Sequence, residues 1–131
     1  MVYRNYNSQA AELLQSCPFE NDLSKLSTFI GTIRASGGWG YEAVEAGLQA
    51  LNKLDGLSHA VVIGDIGGNT PEEITQKRKH FGENYWNSNG FPKTTTDAEI
   101  EALKKKGIPV HTSYINREKE AFEKISKATG G

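Results

Sequence analysis

The run His59-Ala60-Val61-Val62-Ile63-Gly64-Asp65 constrains this chain more than any other stretch. It is short, rich in β-branched residues and apolar without alternation. That pattern predicts a parallel strand over 59–64, covered by helices on both faces. An acid closes the run, and Gly67-Gly68-Asn69-Thr70-Pro71 follows at once. In open α/β sheets, the loops beyond the strand C-termini hold ligands or metals. Asp65 is therefore the first candidate site residue, with the 66–70 loop around it.

The remaining elements fall around this strand. Alternating β-formers predict a strand over 2–6, and a short helical turn is expected over 10–15. Leu23, Leu26, Ile30 and Ile33 recur at helical spacing in a helix over 21–35, which Ser36-Gly37-Gly38-Trp39-Gly40 ends. A second helix over 41–54 places Val44, Leu48 and Leu51 on one face. Thr70-Pro71-Glu72-Glu73 reads as a capping box with proline in the first turn, opening a helix that reaches Lys79. Residues 82–95 read as a long ordered loop pinned to the body by Tyr85, Trp86 and Phe91. A helix over 97–106, stopped by Gly107, precedes a strand over 108–115 and a last helix over 117–128. In that helix Phe122 and Ile125 face inward, and Glu120/Lys124 and Glu123/Lys127 are spaced for ion pairs. The succession is α/β, with the two later strands parallel and joined by crossover helices.

Composition narrows the function. The chain has 131 residues, 37% hydrophobic and 24% charged, with a net charge of -1, which suits one domain and one core. Lys and Arg are scattered among acids, so no nucleic-acid partner is expected. Lys104-Lys105-Lys106 sits at a predicted helix C-terminus and complements the helix dipole there. Cys17 is the single cysteine, which excludes an internal disulfide and any Cys/His zinc spacing; it reads as a small buried filler. No apolar stretch approaches membrane-spanning length and the N-terminus is polar, so the expectation is a cytoplasmic protein without a membrane partner.

Four stretches together resemble a von Willebrand factor A (vWA) domain of the intracellular type. They are Val2-Tyr3-Arg4-Asn5-Tyr6; Phe29-Ile30-Gly31-Thr32-Ile33-Arg34-Ala35-Ser36-Gly37-Gly38 running on to Glu42-Ala43-Val44 and Gly47-Leu48; Val61-Val62-Ile63-Gly64-Asp65 with Asn69-Thr70; and Gly107-Ile108-Pro109-Val110-His111 with the stretch 122–131. The resemblance implies a Rossmann-like, doubly wound sheet with helices on both faces. It also implies a magnesium site at the strand C-termini, the metal-ion-dependent adhesion site.

The departures from that pattern decide the functional expectation. The family's Asp-x-Ser-x-Ser motif is absent from the chain, and Trp39 and Gly40 stand where a middle loop supplies Asp or Thr. Of the family's ligands only Asp65 remains, and Gly67-Gly68 replaces the Pro-Pro that often follows it. One carboxylate cannot hold magnesium tightly. No cofactor is expected, with at most weak magnesium or manganese binding at Asp65.

The resemblance further implies that the domain, 1–131, is incomplete at its N-terminus and at its C-terminus. The family's central first strand, which would lie between the strands of Tyr3 and Val62, has no counterpart here. Either those two strands close up on each other, or a second chain matches the open edge, or the chain is a fragment.

Ser36-Gly37-Gly38-Trp39-Gly40 follows a helix and lacks the P-loop lysine, so it reads as a loop shaped for backbone approach. Trp39 is either an exposed anchor for a partner or packing over the vacated metal site. Asp65 is expected to bond its own loop or Asn69, and no second acid, base or nucleophile is tied to it by spacing. His111 reads as a satisfied core or edge histidine. The expected function is a non-catalytic protein-interaction module with a degenerate cation site, binding a protein through Trp39, Gly40, Asp65, Gly67, Gly68 and Asn69. The alternative is an assembly subunit, a homo-oligomer joined by sheet-edge pairing or domain swapping. A small α/β enzyme using Asp65 is the third reading.

Overall fold

The computed structural model describes residues 1–8, 10–35, 39–115 and 118–131 and shows a mixed α/β fold. In chain order its elements are β1 (Val2–Tyr3), a 3-10 turn (Ala10–Glu12), β2 (Leu14–Gln15), α1 (Leu23–Thr32), α2 (Val44–Asn52), β3 (Ala60–Gly64), α3 (Pro71–Phe81), α4 (Glu83–Ser88), α5 (Thr96–Lys105), β4 (Val110–Tyr114) and α6 (Lys119–Thr129). Among the described residues these are six helices and two two-stranded sheets.

β3 and β4 pair in parallel, from Ala60 opposite Val110 to Gly64 opposite Tyr114. The crossover between them carries α3, α4 and α5. The capping box forms: the Thr70 hydroxyl accepts from Glu73 N, and the Glu73 carboxylate accepts from Thr70 N. Ala60, Val62 and Val110 share one core with Val44 and Leu48 of α2, Ile100 and Leu103 of α5, and Phe122 and Ile125 of α6.

The expectation of two-sided cover for β3 is corrected here. Ala60 and Val62 are buried, but Val61 and Ile63 are 60% and 61% exposed. Successive strand residues point to opposite faces, and the helices that share a core with β3 all lie on the Ala60/Val62 side. The other face, with His111 and Ser113 beside Val61 and Ile63, is open. His111 is therefore exposed, its ring 6.3 Å from that of His59. The apolar stripe of α1 is open too: none of its residues is buried, and Leu23 and Ile30 are 78% and 66% exposed.

Further expectations change. The 2–6 strand is only β1, and it pairs antiparallel with β2, inside the stretch expected to be a helical turn. Arg4 fixes that pairing: its N–H donates to Leu13 O at 3.0 Å and its guanidinium to Glu12 O at 2.9 Å. The 82–95 loop contains α4, because Gly82 at φ 84° lets α3 end and a new helix start within one residue. The pinning role of the aromatics there holds for Trp86 and Phe91, both buried, with Tyr6 packed on Trp86 at 4.5 Å between ring centres. Lys124 pairs with Asp97 on α5 rather than with Glu120, whereas Glu123 and Lys127 pair as expected at 2.8 Å. Cys17 is free and only half-buried. The cradle residues Ser36, Gly37 and Gly38 lie outside the described residues.

Candidate functional site

The direction of the β3 hydrogen bonds defines an open edge. Ala60 N donates to Pro109 O at 3.0 Å, and Gly64 O accepts from Ile115 N at 2.8 Å. Even-numbered residues of β3 thus bond toward β4, and the N–H and C=O groups of Val61 and Ile63 point the other way. On that side stands β1, but it pairs with β2 and not with β3, so direct closure of the two strands does not occur. The hydroxyl of Tyr3 reaches across and donates to Ile63 O at 3.4 Å.

The width of this interval is set farther along both chains. Ala43 N donates to Arg4 O at 2.9 Å, Glu42 N to Gly67 O at 3.1 Å and Asn69 N to Glu42 O at 3.2 Å. Glu42 and Gly68 form a parallel bridge. One extended segment therefore connects the chain leaving β1 to the chain leaving β3. Before that point no described strand lies between them. A cavity of about 190 Å³ opens there toward α2, lined by Tyr3, Leu48, Leu51 and Val61. A second, of about 330 Å³, opens toward the other face, with Ile33, Glu42, Ile63 and Asp65 in its lining.

Asp65 stands exposed at the end of this interval, beside Glu42. Burial pushes the Glu42 carboxyl up, and the Asp65 charge pushes it further. The Tyr3 phenol is pushed up to about 12, by burial first and then by the same two acids. The bond expected between Asp65 and Asn69 does not form, because Asn69 is buried and turned inward. Its amide donates to Glu42 O at 3.0 Å and to Glu45 Oε1 at 3.1 Å, and its carbonyl accepts from Lys77.

That inward turn completes a buried polar cluster that sequence reasoning missed. Glu45 is fully buried and accepts from the Tyr6 hydroxyl at 2.7 Å. Burial raises the Glu45 carboxyl and the Tyr6 phenol above their ordinary values. Lys77, lowered by burial, donates to Asn5 Oδ1 at 3.0 Å, Tyr41 O at 3.2 Å and Trp39 O at 3.5 Å. With every donor engaged, the amine is a clamp on the 39–41 loop rather than a nucleophile. Two signals existed in the sequence: Glu45 interrupts Ala43-Val44-Glu45-Ala46, and Lys77 falls three residues after Ile74 on the inward face of α3.

The six residues expected to form one partner-binding face line three cavities: Trp39 and Gly40 one beside α3, Gly67, Gly68 and Asn69 another beside α5 and α6, and Asp65 the interval. Trp39 packs on α3, its ring 5.4 Å from His80, 5.5 Å from Phe81 and 5.2 Å from the Lys77 amine. Gly40 follows it at φ 63°. Gly67 and Gly68 serve close packing: a Cβ on Gly67 would come 3.0 Å from Ala121 Cβ, and one on Gly68 would come 2.7 Å from Thr96 Oγ1. Asn69 belongs to the buried cluster, and only Asp65 lines the open interval.

Among the described residues, no group of three or more His, Cys, Asp or Glu side chains is placed to hold a metal ion. Asp65 and Glu42 alone leave an octahedral cation short of protein oxygens, so the described residues do not fit the magnesium site that the resemblance implies. No described helix is long and apolar enough to cross a membrane. Comparison with known proteins finds no matching family model, no matching curated protein and no matching solved structure.

Proposed function

We propose that the chain is a non-catalytic protein-interaction module of the vWA type, a doubly wound sheet without its central strand and with a degraded cation site, and that it binds through this unfinished sheet. One observation carries the reading: Val61 and Ile63 are each about 60% exposed in the middle of the parallel pair. Covering what remains exposed of both side chains is worth roughly 2–4 kcal/mol, enough to anchor an interface. The titratable groups inside the fold argue against catalysis, since Glu45 and Lys77 are held by internal partners. A cytoplasmic setting belongs to the same reading, because the lone thiol of Cys17 needs no oxidising compartment.

Self-association is a second reading favoured by a separate observation. The molecule presents both an uncovered sheet face and a helix, α1, whose apolar stripe touches nothing that buries it. Exchange of α1 between copies would cover both surfaces at once.

A photo-crosslinking residue at position 61 tests the module. In cells, protein adducts should accumulate there and not at position 105, an exposed control on α5. Equal yields at the two positions, or none at either, would remove the proposal.

A further inference from the structure

We infer that the interval between β1 and β3 takes a single extended strand from a protein partner, with alternate apolar side chains directed toward α2 and a lysine or arginine beside Glu42 and Asp65. The inference rests on the interaction-module reading and names what the sheet binds.

Four features of the interval select this occupant. Its β3 wall offers the main-chain N–H groups of Val61 and Ile63 and the C=O of Val61, with the long 3.4 Å bond from the Tyr3 hydroxyl to Ile63 O a contact that a guest would displace or share, and only another extended backbone can pair with such a row. Its width is that of one strand, because Glu42 and Ala43 bridge the same two walls with ordinary hydrogen bonds of 2.9–3.2 Å. A helix, about 10 Å across, is too thick for that space. β3 of a second copy is excluded as well, since it carries β4 along one edge and would have to bring that strand with it.

The two mouths of the interval set the side-chain pattern. Toward α2 the lining is Tyr3, Val44, Leu48, Leu51 and Val62, which calls for apolar residues at every second position of the guest. Toward the other mouth stand Glu42 and Asp65, with Arg4 and Arg34 nearby. Both arginines are already engaged: Arg4 donates to Arg34 O at 2.7 Å and Arg34 to Gly31 O at 2.6 Å. Oε2 of Glu42 is buried without a partner among the described residues. A cationic side chain on the guest would relieve the repulsion between Glu42 and Asp65.

Met1 lines both mouths, so a guest strand can be tethered to the full chain there. The probe is Lys-Val-Thr-Val-Thr-Val-Lys, joined ahead of Met1 by a Gly/Ser linker of about ten residues, long enough for either strand direction. The control carries proline at the central valine, which removes a ladder donor. Hydrogen exchange at the Val61 and Ile63 amides should slow at least about tenfold in the strand fusion and remain at the parent rate in the proline fusion. Placing Asp65→Lys in the strand fusion should reduce the protection.

Parent-rate exchange in the strand fusion, or equal protection by both fusions, would overturn the inference. Full protection in the Asp65→Lys variant would overturn the cationic requirement. If crosslinks still formed at position 61 while the strand fusion gave no protection, the module reading would stand and the partner would lie on the outer face without entering the interval.

Discussion

Glu45 has no exposure to water and no cation among the described residues in hydrogen-bond contact. Its Oε1 accepts from Tyr6 and Asn69, and its Oε2 has no partner among the described residues. Burial favours the neutral carboxyl, so the folded state holds a proton that the unfolded chain releases near its ordinary value of about 4.3. Between that value and the raised folded one, stability falls as pH rises, and it levels off above. Lys77 acts in the opposite sense: its lowered value makes stability rise with pH below the ordinary lysine value of about 10.4. Glu45→Gln keeps an oxygen for both hydrogen bonds and loses the titration. Melting curves between about pH 4 and about pH 8, a range that begins below the ordinary carboxylate value, should show a decline in the parent that Glu45→Gln flattens. An unchanged slope would assign the decline to another group. Little of this cluster was legible beforehand, because a polar residue on an inward helix face does not name its partner.

At the scale of the element, β3 divides its residues into two kinds. Val62 is buried in a core shared with three helices, and Val62→Ala should cost about 1–3 kcal/mol by chemical denaturation. Ile63 is larger but faces out, and Ile63→Lys should change monomer stability by no more than about 0.5 kcal/mol. A large loss from the lysine substitution would mean that a layer covers that face in solution. The sequence places both residues in one apolar run and treats them alike. Elsewhere local signals were sufficient: the Thr70–Glu73 capping box, the inward Phe122 and Ile125, and the basic last turn of α5 are all where spacing put them. β2 was missed because a two-residue strand has too few positions to show a period, and it exists through the long-range bonds of Arg4.

For the molecule as a whole, exposed apolar side chains include Leu23 and Ile30 on α1, Val61 and Ile63 on the β3–β4 face and Phe19 ahead of α1, while α2, α5 and α6 close the core. If exchange of α1 covers the sheet, sedimentation equilibrium at tens of micromolar should give a mass above the 14.4 kDa of one chain. Ile30→Lys, placed on the exposed stripe, should then return the mass to one chain without lowering the melting temperature. A single-chain mass for the parent would leave the sheet free for a different protein and remove self-association.

Periodicity and capping residues determined by themselves that this chain makes a parallel β3–β4 pair crossed by helices, and which faces of α2 and α6 turn inward. They could do so because each is written in side chains a few positions apart. Tertiary structure alone decided that one face of β3 lacks a cover, and that Asn69 turns from Asp65 toward Glu45 and Lys77. Both depend on what arrives from distant sequence, as when Lys77 bonds Asn5 across 72 positions. An apolar pattern records which side chains would gain from burial, but whether a neighbouring layer is there to bury them depends on how the rest of the chain packs.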